Sequence, residues 1–266
     1  GTGPQSAAII LGGDDHNCKS STLPHQCDLA YMSAGIPILY PTSVQEFIEL
    51  GLHALALSRF SGCWVALKLV TNLCDGGGVV EVGPDRPQII IPDVLIDGKP
   101  FHKSQDMTFL PPGTIDMERQ LFYERHTAVR AYAHANGLDR IEEHTGDDRI
   151  GLVSAGKSYA DLRQALYDMG LDSAVLQRLG IRVLRLGLIY PLDAEVVRRF
   201  ATGLDEIIVV EEKRAFVETQ LRDCLYNMAQ RPRVLGKYDE QDVPLFPMHG
   251  EFDADVIVER LGPRLQ

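Results

Sequence analysis

The second half of the sequence alternates short apolar segments with amphipathic ones, and no other feature restricts the possible folds as strongly. The apolar segments are rich in branched side chains and have the length of buried strands. In the segments that follow, apolar residues recur at helical spacing. This alternation predicts a compact, doubly wound α/β domain with a parallel sheet. Its predicted strands are residues 151–155, 181–186 and 206–210, and its predicted helices are residues 158–169, 193–200 and 217–228.

The first half shows the same alternation in a less complete form. Strands are predicted at residues 9–11, 36–40 and 64–70. Ser43 and Glu46 form a capping box that opens a helix between the second and third of these strands. The first half therefore predicts an incomplete second domain of the same parallel-sheet class.

Outside these regions the pattern is weaker. Residues 71–112 are interrupted by a run of three glycines and by prolines, so we expect a long irregular arm in which only residues 88–91 resemble a strand. A helix is predicted at residues 115–136, with Gly137 at its end. The proline-rich tail from residue 231 is expected to pack as an extended arm.

Charge and composition exclude several classes of protein. The chain of 266 residues has a formal net charge of −11 and no cluster of lysine and arginine, so binding to nucleic acid or an anionic membrane is not expected. No apolar run is long enough to cross a membrane. The five cysteines include no Cys-x-x-Cys pair, and their odd number favours reduced thiols in the cytoplasm. We expect most of them, and the single tryptophan Trp64, in the core.

The polar loop after the first predicted strand concentrates the chemically active side chains. It could hold a metal through Asp14, Asp15 and His16, although this spacing matches no standard zinc or calcium loop. It could instead line a cofactor or substrate crevice, because ligands of parallel sheets bind at the carboxyl ends of strands. The third interpretation is a polar loop stabilised by local turns, and the residues alone favour it.

Two further segments in the second half carry polar residues after strands. Gly156-Lys157-Ser158 precedes a predicted helix, where backbone N–H groups can bind an anion. The segment lacks the spacing of a phosphate-binding loop, so a tight turn is preferred. For residues 211–214 we expect a salt-bridged surface between the domains.

An ordered set of short motifs resembles one enzyme family. Gly13-Asp14-Asp15-His16, the segment 20–26 and Asp28 are similar to a loop of the indolepyruvate:ferredoxin oxidoreductases, most closely of the long fused bacterial type. The set spans nearly the whole chain. The remaining matches are Ala-Asn-Gly-Leu-Asp-Arg at 135–140, Ile-Tyr-Pro-Leu at 189–192, Val-Glu-Glu-Lys-Arg at 210–214, Gly-Lys-Tyr-Asp-Glu at 236–240 and Leu-Phe-Pro-Met-His-Gly-Glu at 245–251.

The resemblance implies an enzyme that decarboxylates indolepyruvate or related 2-oxo acids, transfers the acyl group to coenzyme A and passes electrons through iron–sulfur clusters to ferredoxin. It implies thiamine diphosphate and Mg²⁺ as cofactors of the complete enzyme. Residues 1–140 would be the later part of a pyrimidine-binding-type domain plus its linker. Residues 145–266 would be a transketolase C-terminal-like domain with a C-terminal arm.

The resemblance also indicates what this chain leaves to other segments. The glutamate that activates thiamine diphosphate in the family is expected before residue 1. The Gly-Asp-Gly stretch that holds the diphosphate through Mg²⁺ does not occur in the sequence, and neither do the cysteines that bind the clusters. We therefore expect an internal fragment, inactive alone, that binds no cofactor or metal by itself and works with the remaining domains of the enzyme, as a homo-oligomer.

Within the fragment, the loop is expected to face the crevice of the complete enzyme. His16 is the candidate catalytic residue, because an imidazole can bind a 2-oxo acid carboxylate or move a proton. Lys19 is an equal candidate for the carboxylate. The expected crevice residues are Asp14, Asp15, His16, Lys19, Ser20, Ser21 and Gln26.

Two other functions remain open. A transketolase C-like module could serve assembly or regulation without catalysis, and a small hydrolase could use the Asp/His loop. A truncated first sheet favours the enzyme fragment over the module, whereas a metal on Asp14 and His16 favours the hydrolase.

Overall fold

A computed structural model of the chain describes residues 2–3, 5–104 and 110–265. The strands are β1 (Ile9–Asp14), β2 (Ile38–Leu39), β3 (Val65–Val70), β4 (Leu95–Ile96), β5 (Lys99–Pro100), β6 (Arg140–Glu142), β7 (Ile150–Ala155), β8 (Ile181–Leu186), β9 (Leu188–Tyr190), β10 (Glu206–Val210) and β11 (Arg233–Leu235). The helices are α1 (Asp28–Ser33), α2 (Val44–Ser61), α3 (Thr71–Cys74), α4 (Gly113–Arg119), α5 (His126–Ala135), α6 (Gly156–Asp168), α7 (Ser173–Arg178), α8 (Ala194–Ala201), α9 (Val217–Leu225) and α10 (Ala254–Leu265), and a π-helical segment (Gln120–Arg125) joins α4 to α5. Within the described residues, no helix combines the length and apolar character needed to cross a bilayer.

The first sheet has the strand order β1-β3-β2-β9. The strands β1, β3 and β2 run parallel, and every residue of β3 is buried. The helices α2 and α5 pack on one face, where Leu57, Val129 and Tyr132 form the core with β3. Ser43 caps α2 by accepting the N–H of Glu46, as the capping box predicts.

The second sheet has the order β11-β10-β7-β8-β6, parallel except for the edge strand β6. Its three central strands and the helices α6, α8 and α9 match the predicted elements within a few residues. One face packs against α6, α7 and α10 and the other against α8 and α9. The predicted α/β fold with two largely parallel sheets is confirmed.

Besides a hydrophobic cluster on its own outer face, each sheet contributes to a third cluster that the two sheets share. Val70 of the first sheet and Val153 of the second belong to one buried cluster, together with Phe200 of α8 and Leu221 of α9. In addition, β9 leaves the second half of the chain to pair antiparallel with β2. The halves therefore form a single packed unit.

One glycine sits where the halves approach most closely. Gly156, at the start of α6, has φ +52°, and a Cβ there would overlap the ring of Tyr40 from the first sheet. The turn therefore needs glycine for its backbone conformation and for space.

The structure corrects several expectations. Residues 88–91 form no strand, because their segment runs along the surface without a strand beside it. Trp64 is 51% exposed rather than in the core, because it precedes β3 and lines a surface groove with Met117 and Phe122. The tail is not an extended arm throughout, since it contains β11 and α10, whose Ile257 and Leu261 are fully buried.

Two other expectations have mixed outcomes. The helix predicted at residues 115–136 is present, interrupted only by the π-helical segment. Among the cysteines only Cys63 is buried. Cys18 and Cys74 are exposed, and Cys27 and Cys224 are partly exposed, so most of them are not core residues.

Candidate functional site

The carboxyl ends of strands from both sheets meet at one place. Asp14 is the last residue of β1, and Glu212 follows the end of β10. Lys68 lies in β3, paired in register with Gly12 of β1. The polar loop after β1 therefore faces the segment that follows β10, and the sequence separation between the two is large.

Six ionisable side chains form a buried ion cluster at this point. Nδ1 of His16 lies 2.7 Å from Oε2 of Glu212, and its Nε2 lies 3.6 Å from Oδ2 of Asp14. Nζ of Lys68 contacts Oδ2 of Asp28 at 2.6 Å and Oδ2 of Asp14 at 3.2 Å. Glu212 is also 3.6 Å from Nζ of Lys157. The members of the cluster are Asp14, His16, Asp28, Lys68, Lys157 and Glu212, and all six are buried.

Mutual pairing keeps this cluster charged inside the protein. Burial alone would raise the pKa of Asp14, but the nearby imidazole of His16 and the charge of Lys68 outweigh it and hold that pKa well below its usual value. Burial would lower the pKa of His16, yet the carboxylates of Asp14 and Glu212 beside it raise it above 6.5. The pKa of Lys68 is raised because Asp28 and Asp14 outweigh desolvation. The cluster is thus a mutually stabilised set of charges.

The cavity beside the cluster is small. It measures about 30 Å³ and is bordered by both sheets, with His16, Tyr40 and Glu212 among its lining residues. One polar atom of each side chain has no hydrogen-bond partner among the described residues. These atoms are Nε2 of His16, the hydroxyl oxygen of Tyr40 and Oε1 of Glu212. Such a volume admits one or two water molecules and excludes an organic acid or a thiamine diphosphate. The cluster therefore does not fit the cofactor within this chain.

Asp15 turns away from the cluster and organises its own loop. Its carboxylate accepts the N–H groups of Ser20 (2.7 Å), Lys19 (2.9 Å) and Ser21 (2.7 Å). These hydrogen bonds hold the pKa of Asp15 well below its usual value, and the bond from Ser20 has the largest effect. Asp15, Ser20 and Ser21 thus fit the interpretation of a loop stabilised by local turns. Lys19 lies at the surface, paired with Glu251 at 2.9 Å.

Gln26 links the loop after β1 to the ion cluster and to the segment after β10. Its Nε2 donates to Oδ2 of Asp28 at 2.8 Å, and its Oε1 accepts the N–H of Arg214 at 3.2 Å. Of the seven candidate residues, the structure therefore brings Asp14, His16 and Gln26 to the cluster.

Three members of the ion cluster, Lys68, Glu212 and Lys157, are not among the crevice residues predicted from the sequence. The sequence contains a signal for some of them. Lys68 interrupts an otherwise apolar strand, and an unpaired lysine there would be costly, so a buried partner was to be expected. Glu212 lies two residues after a buried strand, in a segment for which a surface between the domains is expected. The local sequence around Lys157 indicates only a turn.

The loop could hold a metal, but through a different set of residues from Asp14, Asp15 and His16. Asp15 is committed to its loop. Asp14 instead lies with His25 and Cys27, and the donor atoms of these three residues are all within 4.8 Å of one another.

An open cavity lined by basic side chains adjoins the cluster. This basic cavity has a volume of about 280 Å³ and lies between the loop after β1, the segment after β10 and the tail. Lys213 is 9% exposed, has φ +55° and donates from Nζ to the carbonyl of Gly250 at 3.0 Å. Its lining residues are Pro24, His25, Gln26, Lys213, Arg214, Met248, His249 and Gly250. Among the described residues neither Lys213 nor Arg214 forms an ion pair, so the cavity suits a small anion.

The lysine in the turn at the start of α6 is bonded to protein atoms. Nζ of Lys157 donates to Asp161 at 2.5 Å and to the carbonyl of Phe252 at 2.6 Å. The side chain thus lies against the protein, which agrees with the preferred interpretation of a tight turn. Within residues 211–214, Glu212 and the N–H of Arg214 contact the first half of the chain at His16 and Gln26, and Glu212 and Lys213 are buried.

Comparisons with known proteins identify the second half of the chain. Residues 140–266 match the family model of the indolepyruvate oxidoreductase domain. This half resembles that domain. The whole chain is similar to the indolepyruvate oxidoreductase subunit IorA of Methanothermobacter marburgensis, with 28% identity over 257 residues, 96% of the chain and 38% of the relative. The IorA subunit of Thermococcus kodakarensis is 26% identical over 237 residues, 89% of the chain and 35% of that protein.

Solved structures extend the likeness to the fold. The 2-oxoglutarate:ferredoxin oxidoreductase of Magnetococcus marinus superposes with a TM-score of 0.59 at 15% identity, over 99% of the chain and 49% of that structure. A split-gene transketolase gives a TM-score of 0.52 at 14% identity, over 97% of the chain and 66% of that structure. The family resemblance drawn from the motifs is confirmed, and the chain spans well under half of the IorA subunits that it resembles.

Proposed function

We propose that this chain is one part of a cytoplasmic 2-oxoacid:ferredoxin oxidoreductase that converts indolepyruvate or a related 2-oxo acid to its acyl-CoA, with ferredoxin as electron acceptor. The observation that carries the proposal is the similarity to IorA subunits along 96% of the chain. The free cysteines fit a reducing compartment.

In this proposal the chain contributes structure and substrate contacts, and other segments contribute the cofactor chemistry. The complete enzyme uses thiamine diphosphate with Mg²⁺, and its iron–sulfur clusters lie on other segments. The small cavity beside the ion cluster supports this division, because it has no room for the cofactor. The chain alone is therefore inactive.

The residues divide into two roles. His16 is buried between Asp14 and Glu212, so it acts as a positioning residue that fixes the loop after β1 against the second sheet. Binding of an anion falls to the basic cavity, where Lys213 and Arg214 could receive the carboxylate of the 2-oxo acid. This assignment moves carboxylate binding from His16 and Lys19 to residues that face an open space.

The second candidate is a non-catalytic module for assembly. The enclosed ion cluster favours it, since this cluster joins the two sheets and excludes an organic ligand. The split-gene transketolase with the same fold is itself described as an inactive β4 tetramer.

Steady-state assay of the complete gene product distinguishes the two candidates. With indolepyruvate, coenzyme A and a ferredoxin-type acceptor, we expect turnover. Arg214→Ala should raise the KM for the 2-oxo acid roughly tenfold or more, the loss of one charged hydrogen bond. Arg178→Ala, an exposed arginine of α7, is the matched control and should leave the KM unchanged. Failure of the complete protein to oxidise any 2-oxo acid would support the assembly module.

A further inference from the structure

Three side chains of different metal-binding types meet at the end of β1. Oδ1 of Asp14 lies 3.1 Å from Nδ1 of His25, and this nitrogen lies 3.9 Å from Sγ of Cys27. His25 and Cys27 flank Gln26 just before α1. One carboxylate, one imidazole and one thiol thus face a common point.

The spacings match those of ligands that share one tetrahedral ion. Zinc binds nitrogen and oxygen at about 2.0–2.2 Å and thiolate sulfur at about 2.3 Å, so its ligand atoms lie roughly 3.3–3.7 Å apart. The two measured spacings, 3.1 and 3.9 Å, lie on either side of this range. We propose that Asp14, His25 and Cys27 bind Zn²⁺, or a divalent cation with similar ligand preferences, and leave a fourth position open to solvent.

The two carboxylate oxygens of Asp14 have different neighbours, and only Oδ2 contacts a cationic side chain. Lys68 contacts Asp14 through Oδ2 at 3.2 Å, and Asp28 balances the lysine at 2.6 Å. Oδ1, the oxygen that faces His25, also accepts the N–H of Cys27 at 3.0 Å, which fixes its direction. The cation would therefore bind on the side of the carboxylate opposite to Lys68.

The site is accessible to a cation from solvent, and binding of the cation would fix part of the loop. The side chain of His25 is 44% exposed, so a cation can enter from solvent. Binding displaces the thiol proton of Cys27 and replaces the hydrogen bond between His25 and Asp14 by two metal–ligand bonds. The cation would fasten residues 25–27 to the end of β1 and thereby fix Gln26, which holds Asp28 and Arg214.

Cobalt(II) titration of the chain tests the site, because a thiolate ligand gives cobalt an intense near-ultraviolet charge-transfer band. We expect a band that saturates at one cobalt per chain and disappears on addition of Zn²⁺. Cys27→Ser and His25→Ala should lose it. The matched controls are Cys18→Ser, an exposed cysteine of the same loop, and His249→Ala, another histidine of the basic cavity, and both should keep it.

Circular dichroism establishes that the variants are folded, and limited proteolysis gives a second measure. Zn²⁺ should slow cleavage within residues 15–27 of the wild-type chain and not of Cys27→Ser. A chain with no saturable band, a band that survives Cys27→Ser, or one that is lost in Cys18→Ser would each overturn the site. None of these readouts uses turnover, so the result is independent of the oxidoreductase proposal.

Discussion

His16 and Glu212 stand 196 residues apart in sequence and 2.7 Å apart in the fold. Each is buried, and each would be costly to bury alone, because an unpaired charge loses its hydration without compensation. The protein therefore needs both halves in place before either charge is satisfied. At the residue scale, the ion cluster makes the contact between the two sheets specific.

Removing one charge of this pair should destabilise the fold. Glu212→Gln keeps the size of the side chain but removes the nearest carboxylate of His16 and one of the two carboxylates beside Lys157. We expect the free energy of unfolding to fall by about 2–4 kcal/mol. Glu251→Gln breaks the half-exposed pair with Lys19 and should cost less than about 1 kcal/mol. Urea unfolding of both variants measures the difference, and equal losses would contradict the role assigned to the cluster.

Asp139 predicts a pH dependence of stability. Burial raises its pKa from 3.8 to about 7, although its carboxylate accepts the N–H groups of Gly187 and Leu188. A raised pKa in the folded state means that the fold binds the proton more tightly. The resulting stability is present below pH 3.8 and is lost as the pH rises to about 7.

Asp139→Asn removes this titration and keeps an acceptor for the two N–H groups. Relative to the wild type, the variant should gain roughly 2–4 kcal/mol between pH 4 and pH 7. Asp239→Asn is the control, because this partly exposed carboxylate also accepts two backbone N–H groups. Unfolding free energies measured across this range should show the gain only at position 139, and a pH-independent difference there would refute it.

The sequence predicts residues of the site only where local context defines them. Asp14 and His16 follow a strand, so their place at a sheet edge was predictable. Their partners were not, because nothing local shows that the segment after β10 faces the loop after β1. Asp15 also shows the limit of composition, since three backbone N–H groups hold a side chain that was expected in a crevice.

At the scale of elements, periodicity predicted the central strands β7, β8 and β10 and the helices α6, α8 and α9. It missed β9, whose three residues gain their strand character only by pairing with β2 of the other sheet. It missed α10 because the preceding prolines suggested an extended tail. The apolar residues of α10 are buried against the second sheet's outer face, a tertiary contact that local sequence does not reveal.

The glycines at the two ends of α6 provide a matched test of how closely this helix packs against the first sheet. Gly156 and Gly170 both have positive φ, but only Gly156 lies against another element, the Tyr40 ring. Gly170→Ala should cost about 1 kcal/mol from backbone strain alone. Gly156→Ala should cost about 3 kcal/mol or more, because the added methyl also displaces Tyr40. Equal shifts of the urea midpoint would show that the sheets are not closely packed here.

At the scale of the whole molecule, the shared core joins both halves while apolar side chains remain exposed. Trp64 is 51% exposed beside Phe122 at a groove of about 460 Å³. Such a surface favours self-association. Light scattering should give a mass above the 29.5 kDa of one chain, and Trp64→Lys should shift it towards the monomer. Tyr167→Lys, at an exposed tyrosine of α6, should not, and a strictly monomeric wild type would contradict the prediction.

Calorimetric titration of the chain with thiamine diphosphate and Mg²⁺ tests most directly the claim that it is one part of a larger oxidoreductase. We predict no binding, because the cavity beside the ion cluster is about 30 Å³ and the sequence has no Gly-Asp-Gly stretch. Saturable binding in the micromolar range would contradict this account. It would mean that the chain builds a complete cofactor site of its own.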